Sequence, residues 1–276
     1  MAGSIDRMSV FSNLVVGLDG SPTAEHALRW AADRVVAPAN IHVVHSGGAT
    51  PNVPADIVVS TVQSRDGSPG DALVAVAAEI QADAIVIGPH GSGAGLGVGS
   101  VAKSVLRAAS IPVLVVDGLE PPRSAVVKPP VVACVGYGDP AQAAATWAAH
   151  YASDHELPLV LLHAVAYRPV FPLDSGTDAF ASYFGEAVSA SWAMDELKKI
   201  GAELRQEHPD LVITAHVDNR SVLKAVRAAG ELAELVALGK RSDEEFLHAI
   251  GTPRLRRLVA RTSFPTAVVP AQYLAR

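Results

Sequence analysis

The 276-residue chain repeats one pattern of segments twice. The first half opens with LVVGLDGSPTAEHALRWAADRV and the second with VVACVGYGDPAQAAATWAAHYA, each an apolar run, a turn and an alanine-rich helical pattern. IHVVHS then corresponds to LVLLHA, ADAIVIGPHGS to LAELVALGKRS, and GSVAKSVLRAASIPVLVV to GTPRLRRLVARTSFPTAVV. Four matched segments in the same order indicate a tandem duplication.

A proline-rich segment separates the two copies. The stretch from Asp117 to Pro130, DGLEPPRSAVVKPP, contains four prolines, which break helices and strands and are typical of an extended connector. The sequence therefore predicts a first domain over residues 1–120, a linker over 121–130 and a second domain over 131–276.

Within each copy, short β-branched runs alternate with helical patterns. This alternation predicts an α/β fold in which a parallel sheet is covered on both faces, so each copy is expected to be a doubly wound, Rossmann-like domain. In such sheets a ligand binds beyond the carboxyl ends of the strands, where the strand order reverses. The first strand ends at GLDGS and the fourth at GPHGS, and we expect these two ends to be neighbours.

The copies differ between their second and third strands. The second copy has a long helical pattern from Phe180 to Gln206, in which Val188, Trp192, Leu197, Ile200 and Leu204 are predicted to form the buried face. The first copy has only GGATPNVPA at the equivalent place. Its usual second helix is therefore missing, and the crossover from His45 to Ile57 is predicted to be an irregular loop of about a dozen residues.

The stretch IVIGPHGSGAGLGVGS, from Ile85 to Ser100, has the strand, glycine-rich loop and helix that commonly surround a phosphate. No window in it fits the dinucleotide pattern G-x-G-x-x-G, and the chain has no Gly-Lys-Ser/Thr ending of a P-loop. What remains is Gly88-Pro-His-Gly91, seven residues, and Gly99-Ser100 at a helix start. The loop is either a phosphate cradle or a flexible turn.

This ordered set of motifs resembles the universal stress protein family, in its ATP-binding branch. That family has a Gly-x2-Gly-x9-Gly-Ser/Thr loop after its fourth strand and an aspartate after its first. VVGLDGS, VVHS and IPVLVV fit its first, second and last strands, and the likeness covers the chain twice, as in the tandem form common among actinobacterial members. It implies a fold of the adenine nucleotide alpha hydrolase-like kind, and pairing of the last strands, PVLVV and TAVVP, as an intrachain pseudo-dimer. A further homodimer is compatible with it.

The resemblance assigns six residues to an adenine nucleotide: Asp19, Ser46, Gly88, Gly91, Gly99 and Ser100. The aspartate would accept hydrogen bonds from the ribose or the adenine, and the backbone of the first serine would meet the adenine. The glycines would let the loop approach the phosphates, and the second serine would add a hydroxyl at a helix N-terminus. Lys103 and Arg107 could add charge. The cofactor implied is ATP, with magnesium as its companion. Asp19 also suits a turn or helix cap before SPTAEHALRW.

The loops of both copies depart from the family pattern. The first has seven residues between Gly91 and Gly99 where the family has nine. In the second copy, the aspartate position holds Gly136 or Tyr137, and the loop runs from Gly239-Lys-Arg-Ser242 to Gly251-Thr252 through the acidic DEEF. Three carboxylates there would repel phosphates, and Lys240 and Arg241 would either partly offset that repulsion or pair with those acids. Nucleotide binding is therefore expected in the first copy only.

Composition limits the remaining functions. A net charge of −6 argues against a nucleic-acid surface, and the single cysteine, Cys134, is predicted to be a small buried residue on a strand. There is no signal-peptide pattern or membrane span, so a cytoplasmic location is expected. His45 and His163 end apolar strands and are predicted to be structural. No metal-ligand spacing, nucleophile–base pair or acid dyad stands out. The prediction is an ATP-binding sensor or regulator of the stress response, not an enzyme. A non-binding dimerisation module and, less favoured, a slow ATPase are the alternatives.

Overall fold

The computed structural model describes residues 11–36, 38–46, 51–91, 98–117, 128–136, 139–165, 178–240 and 264–275, with backbone alone at 139, 178–189 and 275. The strands are β1 (Asn13–Gly17), β2 (Asn40–Ser46), β3 (Thr61–Arg65), β4 (Ala84–Ile87), β5 (Val113–Val115), β6 (Val131–Cys134), β7 (Leu159–Ala164), β8 (Ile213–Asp218), β9 (Leu235–Lys240) and β10 (Thr266–Pro270). The helices are α1 (Pro22–Ala32), α2 (Pro69–Glu79), α3 (Ser100–Ala108), α4 (Asp139–Asp154), α5 (Asp178–Glu207) and α6 (Val222–Gly230), followed by a 3-10 helix (Ala271–Ala275).

All ten strands belong to one sheet, in the order β3-β2-β1-β4-β5-β10-β9-β6-β7-β8. Within each half the pairs are parallel, so both halves are doubly wound as predicted, and the strand order in each is 3-2-1-4-5. The two halves meet where β5 and β10 pair antiparallel, with Val113 opposite Val268 and Val115 opposite Thr266. The intrachain pairing of the last strands is therefore present, while the domain boundaries at 120 and 131 stay predictions.

The core lies in layers on both faces of this sheet. Apolar side chains of α1, α4 and α5 pack on one face, and those of α2 and α3 in the first half and α6 in the second pack on the other. The cluster on the first face runs without a break from Leu14 in β1 to Ala237 in β9, so both halves share it. Cys134 ends β6 and packs half-buried against the core of the second half, and burial raises the pKa of its thiol to about 12, which suits an unreactive residue.

The crossover between β2 and β3 contains no helix in its described residues 51–60. Val53, Ile57 and Val59 pack against the α1 face of the core and provide cover where a helix is missing. An exposed ion pair of 2.7 Å between Arg29 of α1 and Asp56 fastens this segment. The loop was predicted to end at Ile57, but β3 begins only at Thr61, where parallel pairing to β2 starts.

The long helix of the second half is present as α5, and part of its predicted buried face is correct. Leu197 and Leu204 are buried, and Ile200 packs against them from a half-buried position. Trp192 is 51% exposed, so its assignment to the buried face was wrong. Helical spacing identifies the side of a helix but not where its neighbours end. The side chain of Val188 lies outside the described residues.

Candidate functional site

All six residues assigned to the nucleotide line one cavity of about 330 Å³ in the first half. It lies beyond the carboxyl ends of β1, β2 and β4, and the predicted neighbours β1 and β4 are paired there. Aliphatic side chains, including Val44, Leu73 and Ile87, complete the lining. The volume and the mixture of apolar walls with a few polar groups are typical of a small-molecule site.

Asp19 follows β1 at the mouth of this cavity, and its side chain is exposed. Its Oδ1 atom accepts a hydrogen bond of 3.0 Å from the Ser21 amide. The N-cap of α1 is Ser21, whose hydroxyl accepts a bond of 3.3 Å from the Ala24 amide. Asp19 is therefore a turn residue and not the helix cap, so no cap bond occupies its second oxygen.

Gly91 faces that carboxylate closely. A Cβ atom added at Gly91 would lie 2.5 Å from Oδ2 of Asp19, a distance that no side chain tolerates without displacement. The absence of a side chain at Gly91 lets the Asp19 carboxylate occupy this place beside the loop after β4, and a larger residue would displace it. The two predicted residues are brought together by the pairing of their strands.

The first turn of α1 holds the start of the glycine loop. The hydroxyl of Thr23 donates a hydrogen bond of 2.7 Å to the His90 carbonyl. A Cβ atom added at Gly88 would lie 3.0 Å from the same hydroxyl oxygen. The far end is joined to the start by a bond of 2.8 Å from the Gly99 amide to the Pro89 carbonyl. Residues 92–97 between these ends lie outside the described part of the chain.

Helix α3 begins at the cavity with Ser100, and its N-cap is Gly99, which supplies no side-chain cap. The first amides of an uncapped helix carry a partial positive charge and can bind an anion. Lys103 and Arg107 are exposed and do not belong to the cavity lining, so the structure gives no support to their predicted contribution of charge.

Ser46 ends β2, and its hydroxyl donates a hydrogen bond of 3.0 Å to the Gly67 carbonyl. Its side chain is therefore engaged with the loop after β3. The predicted role for its backbone toward an adenine does not depend on that hydroxyl.

His90 is a further lining residue. Burial raises the pKa of the nearby Asp117, against the charges of His90 and His26, which lower it.

The two histidines that end β2 and β7 occupy equivalent positions but have different partners. In the first half the Leu18 amide donates to the Val44 carbonyl, and in the second half the Val135 amide donates to the Leu162 carbonyl in the same way. His45 and His163, which follow these two acceptor residues, are therefore equivalent. Nδ1 of His163 donates to the Val135 carbonyl at 2.7 Å, which supports its predicted structural role.

His45 lines the cavity and is only 7% exposed, but its Nδ1 atom has no hydrogen-bond partner in the described part of the chain. Buried polar groups are rarely left in this state. Sequence analysis missed this residue as a site candidate because the two strands end in the same apolar-histidine pattern. Only the partners of the rings separate them.

The corresponding region of the second half is arranged differently. Gly136, at the aspartate position, is exposed, and a Cβ atom added there would meet nothing within 4 Å. Lys240 does not face a phosphate position: its Nζ atom donates to the carbonyls of Arg107 and Ala109 at the end of α3. The acidic residues that it was predicted to offset or to pair with lie outside the described residues, so that role stays a prediction. Tyr137, Arg241, Ser242 and the loop through Thr252 lie outside the described residues.

Residues 48–117 match the model of the universal stress protein family. This segment of the first half is therefore similar to a universal stress protein domain. No significant match was found among curated proteins. Several solved structures share the fold over almost the whole chain. A universal stress protein from Archaeoglobus fulgidus is 15% identical and covers 95% of this chain and 97% of its own, with a TM-score of 0.60.

A putative universal stress protein from Pseudomonas aeruginosa is also 15% identical, with coverage of 96% and 95% and a TM-score of 0.57. A protein of unknown function from the same species is 13% identical, with coverage of 96% and 95% and a TM-score of 0.61. These structures show that the doubly wound α/β fold extends over both halves of the chain. Among the described residues, no helix has the length and apolar character needed to cross a membrane.

Proposed function

We propose that the first half binds an adenine nucleotide, ATP or a close relative, and that the protein acts as a stress-response sensor whose state depends on ligand occupancy. The observation that carries the proposal is the convergence of Asp19, Ser46 and the loop glycines on one cavity. Asp19 is the only carboxylate among the described lining residues. This supports binding rather than catalysis, because hydrolysis would need a positioned base and usually a metal.

The polar groups of the cavity fit a nucleoside. Asp19 would accept hydrogen bonds from ribose or adenine, and the backbone of Ser46 would face the base. The buried Nδ1 atom of His45 has no hydrogen-bond partner among the described residues, so a polar ligand atom would remove the cost of an unpaired buried group, about 1–3 kcal/mol. The aliphatic walls would cover the base itself.

The phosphates would lie toward the glycine loop and the start of α3. Cβ atoms added at Gly88, Gly91 and Gly99 would crowd neighbouring protein atoms. Glycine at these positions therefore lets the backbone of the cavity wall pack closely. The uncapped amides of α3 supply the positive potential that a phosphate needs. Magnesium, if it accompanies the nucleotide, would be held chiefly by phosphate oxygens and water.

Gly91→Val tests the proposal. The valine side chain would enter the space between Gly91 and the Asp19 carboxylate. Isothermal titration with ATP, ADP and cyclic AMP is expected to show saturable binding to the wild-type protein. The variant should bind at least about tenfold more weakly, which corresponds to about 1.4 kcal/mol.

Gly136→Val is the matched control, because this glycine follows the first strand of the second half and has open space around it. It should bind like the wild type. Absence of binding of any adenine nucleotide at millimolar concentration would refute the proposal, and so would equal affinities of the two valine variants.

A second candidate function is a non-binding interaction module. It is favoured by the short glycine loop and by a sheet that joins both halves through β5 and β10. This function predicts no bound nucleotide after purification and no titration signal. A slow ATPase would instead show steady phosphate release, abolished by Asp19→Asn.

A further inference from the structure

Three side chains with metal-binding atoms converge in the second half, away from the cavity. His150 lies on α4, Glu207 is the last residue of α5, and His208 follows it. One nitrogen of each imidazole and one carboxylate oxygen all lie within 4.8 Å of one another. The centroids of the two imidazole rings are 5.0 Å apart, with an angle of 59° between the planes. Sequence spacing does not reveal this set, because the histidines belong to different helices.

The backbone fixes His208 where α5 ends. Its amide donates to the Leu204 carbonyl at 2.9 Å, and its carbonyl accepts from the Leu211 amide at 3.1 Å. The residue is only 2% exposed. A ring held at a tight turn and packed on most sides has few orientations, which lowers the entropy cost of binding an ion.

His150 is oriented by a partner from the C-terminal 3-10 helix. Its Nδ1 atom shares a hydrogen bond of 2.9 Å with the hydroxyl of Tyr273, and the two rings are 6.2 Å apart between centroids. Histidines that bind metals usually make a hydrogen bond through one ring nitrogen, which sets the direction of the other. Tyr273 supplies such a bond.

The electrostatics of this cluster favour a cation. The C-terminus of α5, where Glu207 lies, carries a partial negative charge from its last carbonyls, and the carboxylate adds a full one. Glu207 is exposed, and the cluster is therefore open to solvent on that side.

We propose that His150, Glu207 and His208 form a binding site for a divalent transition-metal ion of the zinc class. Two imidazoles and one carboxylate are a frequent ligand set for zinc, with water at the fourth position. None of the three residues lines the first-half cavity, so the site is independent of the nucleotide proposal. A bound ion would tie α4 to the end of α5 and, through Tyr273, to the C-terminal 3-10 helix.

The test is a titration of full-length protein without an affinity tag, stripped with chelator and free of nucleotide, with zinc chloride. One ion per chain is expected to bind and to raise the Tm, whereas magnesium and calcium, which prefer oxygen ligands, should not compete. Glu207→Gln and His150→Gln should each weaken zinc binding at least about tenfold, the lower limit seen when even outlying partners of a metal are removed.

His216→Gln is the control, since this exposed histidine lies on β8 outside the cluster, and it should leave zinc affinity unchanged. His208→Gln should also abolish tight binding, but its ring is buried; circular dichroism must show that it folds. If His208→Gln unfolds, Glu207→Gln still tests the proposal, because Glu207 is exposed. Absence of a one-to-one zinc complex, or wild-type affinity in the Glu207 and His150 variants, would overturn the proposal.

Discussion

At the end of β8, the Asp218 carboxylate forms a bidentate ion pair with Arg220. Oδ1 of Asp218 accepts bonds from the Arg220 amide and from Nε, at 2.8 and 2.9 Å, and Oδ2 accepts from Nη2 at 2.5 Å. The hydrogen bonds from Arg220 hold the pKa of Asp218 below its ordinary value of 3.8, against the effect of burial. The ionised form is therefore favoured more in the folded protein than in the unfolded chain.

The pairing predicts a pH-dependent contribution to stability. Because the folded-state pKa of Asp218 is lowered, its contribution is complete above pH 3.8 and is lost as the pH falls through the folded-state value. Asp218→Asn should lower the free energy of unfolding at pH 7. The difference from the wild type should shrink toward zero in acid, as measured by urea denaturation at a series of pH values.

Asp210→Asn, at an exposed position just before β8, is the control and should show a small difference that does not vary with pH in this way. A difference for Asp218→Asn that stays constant from pH 7 into acid would contradict the assignment. The Arg220 side of the pair is exposed to water, which weakens the attraction between the two charges.

The meeting of the candidate residues in one cavity could be predicted because it depends on backbone position. Asp19 and Gly88 follow the ends of β1 and β4, which a doubly wound sheet brings together, and Gly99 begins the helix that comes after β4. The roles of His45 and Lys240 could not be predicted, because they depend on where a long side chain finds a partner. His45 and His163 have the same local sequence pattern, and only the carbonyl of Val135 distinguishes them.

At the scale of elements, the first turn of α1 acts as an anchor for the loop after β4. Thr23→Val keeps the shape of the side chain but removes the hydroxyl that bonds the His90 carbonyl. Loss of one such bond costs about 1 kcal/mol, so amide exchange at residues 88–91 should become about fivefold faster. Hydrogen–deuterium exchange with mass spectrometry can measure this without any ligand.

Thr146→Val, on the half-buried side of α4, makes the same chemical change away from the loop and should leave exchange at residues 88–91 at the wild-type rate. Equal rates in Thr23→Val and the wild type would show that α1 does not restrain the loop.

The doubly wound fold and the adjacency of the first and fourth strands could be predicted, whereas the ends of elements could not. Right-handed crossovers and alternating helices leave few ways to arrange five strands in each half. The start of β3 depends on how the irregular segment with Val53, Ile57 and Val59 packs on the core. The exposure of Trp192 depends on where the surface covered by α5 ends. Neither contact exists before the chain folds.

At the scale of the whole molecule, a buried ion pair joins the two halves. Arg34, after α1, meets Glu234, before β9, with 2.6 Å between Nη2 and Oε1, and the side chains are 5% and 10% exposed. The Arg34 guanidinium also lies over the Trp30 ring, 4.5 Å from its centroid, and His155 donates from Nε2 to the Arg34 carbonyl. The halves are thus held by specific polar contacts as well as by the shared core.

Glu234→Ala should lower the free energy of unfolding by about 3–5 kcal/mol, because it removes a carboxylate that is paired with a buried guanidinium. Glu231→Ala is the control: its ion pair with Arg227 is exposed and should contribute less than about 1 kcal/mol. Urea denaturation measures both. The double variant Arg34→Met, Glu234→Leu should be less destabilised than Glu234→Ala. Similar losses in Glu231→Ala and Glu234→Ala would refute this role.

The antiparallel junction of β5 and β10 has a consequence for how the protein works in a cell. A sheet completed by two separate chains comes apart on dilution, but here both edges are supplied by one polypeptide at an effective concentration set by the connector. The pairing of β5 with β10 therefore does not depend on the concentration of the protein. Each molecule therefore pairs one copy of the repeat with the other in a fixed one-to-one ratio, and the two copies can diverge in ligand chemistry without losing their partner.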